Sequence, residues 1–328
     1  MTEEKKRLIV IDSNSVIHRA YHALPPLSTK EGKLVNAVYG FLLVLFKAVK
    51  EFQPDYIAAS FDFPAPTFRH KKFKKYKATR PKAPDELYNQ IPRVKEVLKT
   101  FSIPIFEKEG FEADDIIGTI STLVPKKQII PKMETIVLSG DLDILQLVDS
   151  QTKVYILRRG VKDAVLYDEK LVKERYEGLD PSKLPDFIGL KGDVSDNIPG
   201  VPGIGEKTAI FLIKKFGSVE NLYEELERGG KESADLRERL KQTLLRSKEQ
   251  ALFSKSLATI KCNVPINLKI KDCYWRDFSE PEVIRVLEKL EFHTLVKRLP
   301  SLKDKTDKKI KKKIKKKEKP TAYNKKLF

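Results

Sequence analysis

The chain has 328 residues, 41% of them hydrophobic, and a formal net charge of +18 from 64 Lys and Arg against 46 Asp and Glu. That is enough apolar material for a full core, as one large domain or two, and the positive excess suggests a polyanionic partner, nucleic acid before an anionic membrane. No apolar run approaches the ~18 residues of a membrane span. The charged start 1–7 lacks a signal-peptide core, and two cysteines without a CxxC read as ordinary reduced thiols with no zinc-ligand spacing.

Leu8-Ile9-Val10-Ile11 is a short, β-branched run that reads as a buried parallel strand ending at Asp12. A helix is expected from Ser13 or Ser15, and a second over residues 35–51, closed by Pro54. Tyr56-Ile57-Ala58-Ala59-Ser60-Phe61 repeats the buried-strand pattern and ends at Asp62. Residues 63–84 are different: nine cationic or imidazole side chains alternate with Phe68, Phe73 and Tyr76 between prolines, with no good core face. A solvated basic loop would look like this, and so would a clamp for single-stranded nucleic acid with aromatic faces for bases.

An amphipathic helix is expected over 86–100 and a short strand over 103–106. Then comes Glu112-Ala113-Asp114-Asp115, three carboxylates in four residues ahead of an apolar run. An acidic first helical turn is favoured by the macrodipole alone, so this stretch needs company before it means more. The next strand, Thr135-Ile136-Val137-Leu138-Ser139, runs into Gly140-Asp141-Leu142-Asp143. Residues 154–157 and 164–167 are expected as further strands at an edge. Strands alternating with helices imply a parallel α/β sheet, whose ligands bind beyond the carboxyl ends of the strands, where Asp12, Asp62 and Asp141 all fall.

From about residue 181 the pattern is helical. Gly192-Asp193-Val194-Ser195-Asp196-Asn197 adds two carboxylates. The glycine-punctuated hairpin from Gly200 through Gly203 and Gly205 feeds a helix over 208–216, suited to phosphate contact through exposed N–H groups. It is not a P-loop, because Glu206 stands at the lysine position. Helices over 218–226, 235–260 and 280–299 read as scaffold. Residues 303–328 carry 13 Lys against 3 acids, +10 of the total charge. This tail is expected to be disordered alone and to add salt-sensitive affinity for phosphates.

Nine carboxylates thus fall at the expected rim: Asp12, Asp62, Glu112, Asp114, Asp115, Asp141, Asp143, Asp193 and Asp196. They lack basic partners in their own motifs and cannot all ionise side by side without cations. Two or more Mg²⁺ or Mn²⁺ ions are the economical solution, and two such ions ~3.5–4 Å apart serve in-line phosphate displacement.

In this order, these stretches resemble the 5′-nuclease (flap-endonuclease) family, above all the N-terminal 5′→3′ exonuclease domains of bacterial DNA polymerase I. The similarity spans roughly residues 8 to 300 and includes Ala37-Val38-Tyr39-Gly40-Phe41, Phe68-Arg69-His70 and Tyr76-Lys77-Ala78-Thr79-Arg80. The resemblance implies an α/β core (1–180) with a parallel central sheet flanked by helices and a basic arch (63–84). A helical DNA-binding subdomain (181–300) would follow, with a helix–two-turn–helix element near 192–216. Asp12, Asp62, Glu112 and Asp114 would serve one metal and Asp114, Asp141, Asp143, Asp193 and Asp196 a second, with Asp115 in support.

Arg69, Lys77 and Arg80 would lie on the arch, Lys77 at the scissile phosphate and Tyr76 stacking on a base. Gly203, Gly205, Lys207 and Thr208 would grip downstream duplex, with a K⁺ ion. The arch is expected to be mobile without DNA, with Lys77 away from the acids. Leu142 departs from the basic residue common between the paired aspartates. No polymerase sequence follows, so a free-standing monomeric nuclease or a separately made domain is expected. It would act on flapped, nicked or 5′-ended DNA, some of it RNA-primed, in the nucleoid-containing cytoplasm, in turn with a polymerase and a ligase. A PIN-like ribonuclease and a non-catalytic structure-specific DNA-binding protein are the alternatives.

Overall fold

The computed structural model describes residues 6–126, 130, 133–158, 160 and 163–300. The lysine-rich segment 303–328 lies outside the described residues. Six strands form one sheet in the order β3-β2-β1-β4-β5-β6: β1 (Arg7–Asp12), β2 (Tyr56–Ser60), β3 (Ile105–Phe106), β4 (Glu134–Ser139), β5 (Thr152–Leu157) and β6 (Ala164–Tyr167). All neighbours are parallel except β6, which returns antiparallel along β5 at the edge. The order reverses between β1 and β4, which pair through Arg7 opposite Glu134 to Ile11 opposite Leu138. Such a reversal opens a crevice beyond the strand ends.

The strands are apolar on both sides because both faces are covered. Alternation sends Ile9 and Ile11 of β1 to one face and Leu8 and Val10 to the other. The first face packs under the helices Ser13–Ala23, Asn36–Phe52 and Ile91–Thr100 through Ile17, Phe41, Leu45 and Leu98. The second packs under the helix Ala113–Lys126 through Ile116, Ile117 and Ile120. Asn36–Phe52 stops where Gln53 turns left-handed (φ 46°) ahead of Pro54.

A third core belongs to the C-terminal helices, among them Leu184–Lys191, Glu206–Phe216, Val219–Glu227 and Lys248–Ala258. The expected helix over 235–260 is two, Glu238–Arg246 and Lys248–Ala258, broken at Ser247. The expected 280–299 likewise divides into Glu280–Lys289 and His293–Val296. The expected helical unit 181–300 holds this separate core only to Ala258. Beyond it the chain returns to the sheet: Val264 and Cys273 join the second face, and Trp275, Val283, Leu287, Phe292 and Leu295 the first. Among the described residues no helix is long and apolar enough to cross a membrane.

Candidate metal centre

Asp12, Asp62 and Asp141 are each placed where a strand ends. Asp12 closes β1 and caps the helix Ser13–Ala23: Oδ1 accepts from Ser15 N (3.2 Å), Oδ2 from Ser139 Oγ (2.6 Å). Asp62, just past β2, accepts from Ala113 N (2.8 Å), one of the orphan donors at the start of Ala113–Lys126. That bond ties Asp62 to the turn carrying Glu112 and Asp114. After β4, Asp141 Oδ1 accepts from Asp143 N (2.9 Å), while Ser15 Oγ holds Gly140 N (2.8 Å). Sequence reasoning gave no part in the site to Ser15, to Ser139 or to Asn14, whose Oδ1 accepts from Asp62 N (3.3 Å). Their signal was position: small hydroxyl and amide residues immediately beside the strand-end acids.

Asp12, Asp62, Glu112, Asp114 and Asp141 line one cavity of about 380 Å³. Asp141 also lines a neighbouring cavity of about 390 Å³ with Asp143 and Asp193. Asp143, Asp193 and Asp196 each present an oxygen, all within 4.8 Å of one another. Asp143 comes from the sheet domain, whereas Asp193 and Asp196 come from the turn after helix Leu184–Lys191.

Burial pushes the Asp12 carboxyl up to about 7, with Asp62 and Asp141 adding to it against the Ser139 hydroxyl. Burial, then Asp141, Asp193 and Asp196, push Asp143 up to about 8. Asp114 is raised well above the carboxylate range by burial, Asp12 and Asp141, and Asp62 is raised chiefly by burial. Crowded, desolvated carboxylates of this kind suit hard divalent cations, which take oxygen donors and favour the ionised form. The second group consists of carboxylates alone, a donor set of oxygen without thiolate or imidazole.

Four expectations change here. Asp115 is fully buried, and both its oxygens are engaged: Oδ2 accepts from Arg69 Nη1 (2.7 Å) and Glu112 N (3.1 Å), Oδ1 from Arg69 Nη2 (2.8 Å) and Lys261 N (2.8 Å). It has no oxygen left for a cation. Arg69, expected on a DNA-facing arch, is 2% exposed and also donates to the carbonyls of Leu257 (2.8 Å) and Thr259 (3.0 Å). Burial opposes its charge, but Asp115 and Glu112 more than offset this and its pKa is raised. Losing one partner of such a pair costs about 3–5 kcal/mol.

Tyr76, expected to stack on a base, packs into the C-terminal core with its hydroxyl on Glu112 (3.2 Å) and Asp196 (3.1 Å). Lys77, expected away from the acids, places Nζ 3.0 Å from Glu112 and 3.8 Å from Asp196. Burial opposes the Lys77 charge, but these carboxylates raise its pKa on balance. The seat requires a left-handed backbone at Lys77 (φ 55°), with Lys77 N on Asp196 O (3.0 Å) and Asn197 Nδ2 on Lys75 O (2.7 Å). Arg80 pairs with Asp196 and stays about half exposed. The acids therefore do have basic partners, supplied by a distant segment.

The hairpin after the second acid group is built for approach. Gly203 has φ +78°, and a Cβ at Gly203 or Gly205 would meet nothing within 4 Å. Gly205 caps the helix Glu206–Phe216, whose first turn exposes Lys207 and half-exposes Thr208. Gly200 is glycine for another reason: its Cβ would lie 2.3 Å from Gly192 N, where the hairpin crosses the acidic turn.

Comparison with known proteins agrees with this geometry. Residues 7–177 match the family model for the 5′-3′ exonuclease N-terminal resolvase-like domain, and residues 179–281 that for the 5′-3′ exonuclease C-terminal SAM fold. The chain is 44% identical over 297 residues to DNA polymerase I of Bacillus subtilis, covering 90% of this chain and 32% of that protein. It therefore spans about a third of the length of that relative. It is 37% identical over 297 residues to a 5′-3′ exonuclease of Aquifex aeolicus, covering 90% of this chain and 96% of that one. The bacteriophage T5 flap endonuclease, solved as a pseudo-enzyme–product complex with DNA and metal ions, superposes with a TM-score of 0.65, covering 87% of this chain and all of that one. At 18% identity, that likeness concerns the fold.

Proposed function

The chain belongs to the 5′-3′ exonuclease family, and we propose that it hydrolyses phosphodiester bonds at 5′ ends and 5′ flaps of duplex DNA, using two or more Mg²⁺ or Mn²⁺ ions. The observation that carries this reading is the pair of adjoining acid cavities that share Asp141. Asp12, Asp62, Glu112, Asp114 and Asp141 would hold one ion, and Asp141, Asp143, Asp193 and Asp196 another. Bound there, the ions supply Lewis-acid stabilisation of the attacking and leaving oxygens and activate water.

The chain's own residues do the positioning. Lys77 and Arg80 stand over the acids and can pass from Glu112 and Asp196 to the scissile phosphate, neutralising charge that grows during displacement. Exposed N–H groups at Gly203 and Gly205, with Lys207 and Thr208, would take the backbone of the downstream duplex. Such contacts carry no sequence information, so recognition is of DNA shape. A K⁺ ion at this hairpin, RNA-primed ends as targets, a polymerase and a ligase acting in turn, and a place in the nucleoid-containing cytoplasm all follow from the same reading.

The test is a labelled 5′-flap duplex with and without Mg²⁺, read to the nucleotide. Cation-dependent cutting at the flap junction or stepwise loss from the 5′ end is expected. Tight binding without cutting would leave a DNA-binding protein, and preferred cutting of single-stranded RNA would leave a ribonuclease.

A further inference from the structure

Arg69 is absorbed neither by the acid cavities nor by the grip on DNA. Four of its five N–H donors are spent inside the protein, on Asp115 and on the carbonyls of Leu257 and Thr259. These partners lie 46, 188 and 190 residues away, on separate parts of the fold. Asp115 is on the first turn of Ala113–Lys126, next to Asp114 and three residues after Glu112. Leu257 O is at the carboxyl end of Lys248–Ala258, where unpaired helix carbonyls favour a cation.

That second helix leads to the other acids. Lys248–Ala258 lies so close to Leu184–Lys191 that a Cβ on Gly189 would meet Lys255 Cβ at 2.8 Å. Leu184–Lys191 runs directly into Gly192 and Asp193. A continuous packed route therefore connects Glu112 and Asp114 with Asp193 and Asp196, and Arg69 is its joint. Two further bonds brace it on the far side: Lys261 N to Asp115 (2.8 Å) and Val264 N to Thr119 Oγ1 (3.0 Å).

We propose that Arg69 and Asp115 form a positioning pair that fixes the acidic turn 112–114 against the C-terminal helices, and so sets the spacing of the two acid groups. Arg69 does this from the interior and does not contact DNA. The inference rests on the nuclease reading for its catalytic consequence, though not for its geometry. A lysine at this position would keep the charge but lose the planar fork that reaches a carboxylate and two carbonyls at once. A phosphate contact, by contrast, tolerates lysine.

Arg69→Lys and Asp115→Asn in the full chain, assayed on a 5′-flap duplex with Mg²⁺, separate the two roles. Misplacement of the acids should lower kcat by about 10²-fold, with KM changed no more than about threefold. The salt slope of DNA binding should be unchanged, and the double variant no worse than the weaker single one. Without any metal, amide exchange at Glu112 and Lys261 should speed up in Arg69→Lys. Near-normal kcat in Arg69→Lys overturns the proposal, as does a raised KM with a salt slope reduced by about 0.9, the mark of one lost phosphate contact.

Should neither variant fold, exchange in the unaltered protein decides: Glu112 and Lys261 amides should open together, and independent local opening would sink the joint. Failure of the unaltered chain to cut the flap would count against the nuclease reading alone, since the exchange measurement does not depend on cleavage.

Discussion

The acid rim and the glycine hairpin sit one turn apart in the chain and obey opposite rules. The rim collects carboxylates from β1, β2, β4, the 112–114 turn and the 193–196 turn, buries Asp12, Glu112 and Asp196, leaves Asp114, Asp141, Asp143 and Asp193 half-buried, and crowds them together. The hairpin exposes Gly203, Gly205 and Lys207 and surrounds the glycines with open space. A rim made of charge stands or falls on single atoms, because low-dielectric burial amplifies each one. A hairpin that offers backbone N–H groups loses little when one side chain is cut back. The rim should therefore govern turnover and the hairpin affinity.

The sharpest break of this contrast is Asp114→Asn. The change keeps shape and removes one charge at the half-buried carboxyl that faces both Asp12 and Asp141. Removal of a preorganised group of this type costs about 3–4 kcal/mol, or ~10²–10³ in rate. Flap cleavage should fall by at least that much while DNA affinity, measured by anisotropy, stays within about threefold. Affinity falling in step with rate would show that the rim also carries binding, and the division between the two regions would be lost.

A smaller effect comes from pH and metal removal. Asp12 at about 7 and Asp143 at about 8 lie above the ordinary carboxylate value of 3.8. An acid whose folded pKa is raised contributes stability that is present below its unfolded pKa and is lost as pH rises through the folded value. The metal-free protein should thus lose stability from about pH 4 up through pH 7 to 8. A divalent cation binds the ionised form and reverses the loss. The rise in Tm on adding Mg²⁺ to chelator-treated protein should be larger at about pH 8.5 than at about pH 5.5, by ~2–4 °C for each kcal/mol of linkage. An equal rise at both pH values would mean that the cation does not seat among these carboxylates. The hairpin has no titrating group of this kind, so its DNA affinity should not follow the same curve.

The same contrast explains what could be read from the sequence. β1, β2 and β4 are short, mostly apolar runs buried on both faces, each ending in an aspartate or followed by one within two residues, so strand, rim and acids were legible together. The hairpin was legible from its glycines. What escaped was the inward half of the basic segment. Arg69 and Tyr76 sit among lysines that do face solvent, and their partners Asp115, Leu257, Thr259 and Asp196 lie far along the chain. Local composition therefore indicated exposure where long-range pairing dictated burial. The antiparallel turn of β6 and the return of residues 264–295 to the sheet were likewise set by tertiary packing.

The gentlest test is Lys207→Ala, and its gentleness is the point. Lys207 is exposed on the first turn of Glu206–Phe216, apart from the buried face that Ala209, Ile210, Leu212 and Ile213 supply. On the proposed reading, removing it would take away one point charge available to a phosphate, while the N–H groups at Gly203 and Gly205 remain. Duplex affinity should drop about threefold to tenfold, with the salt slope reduced by about one, and kcat at saturating DNA should be unchanged. A large fall in kcat with affinity intact would place Lys207 with the rim, and the two regions could no longer be told apart by what they do.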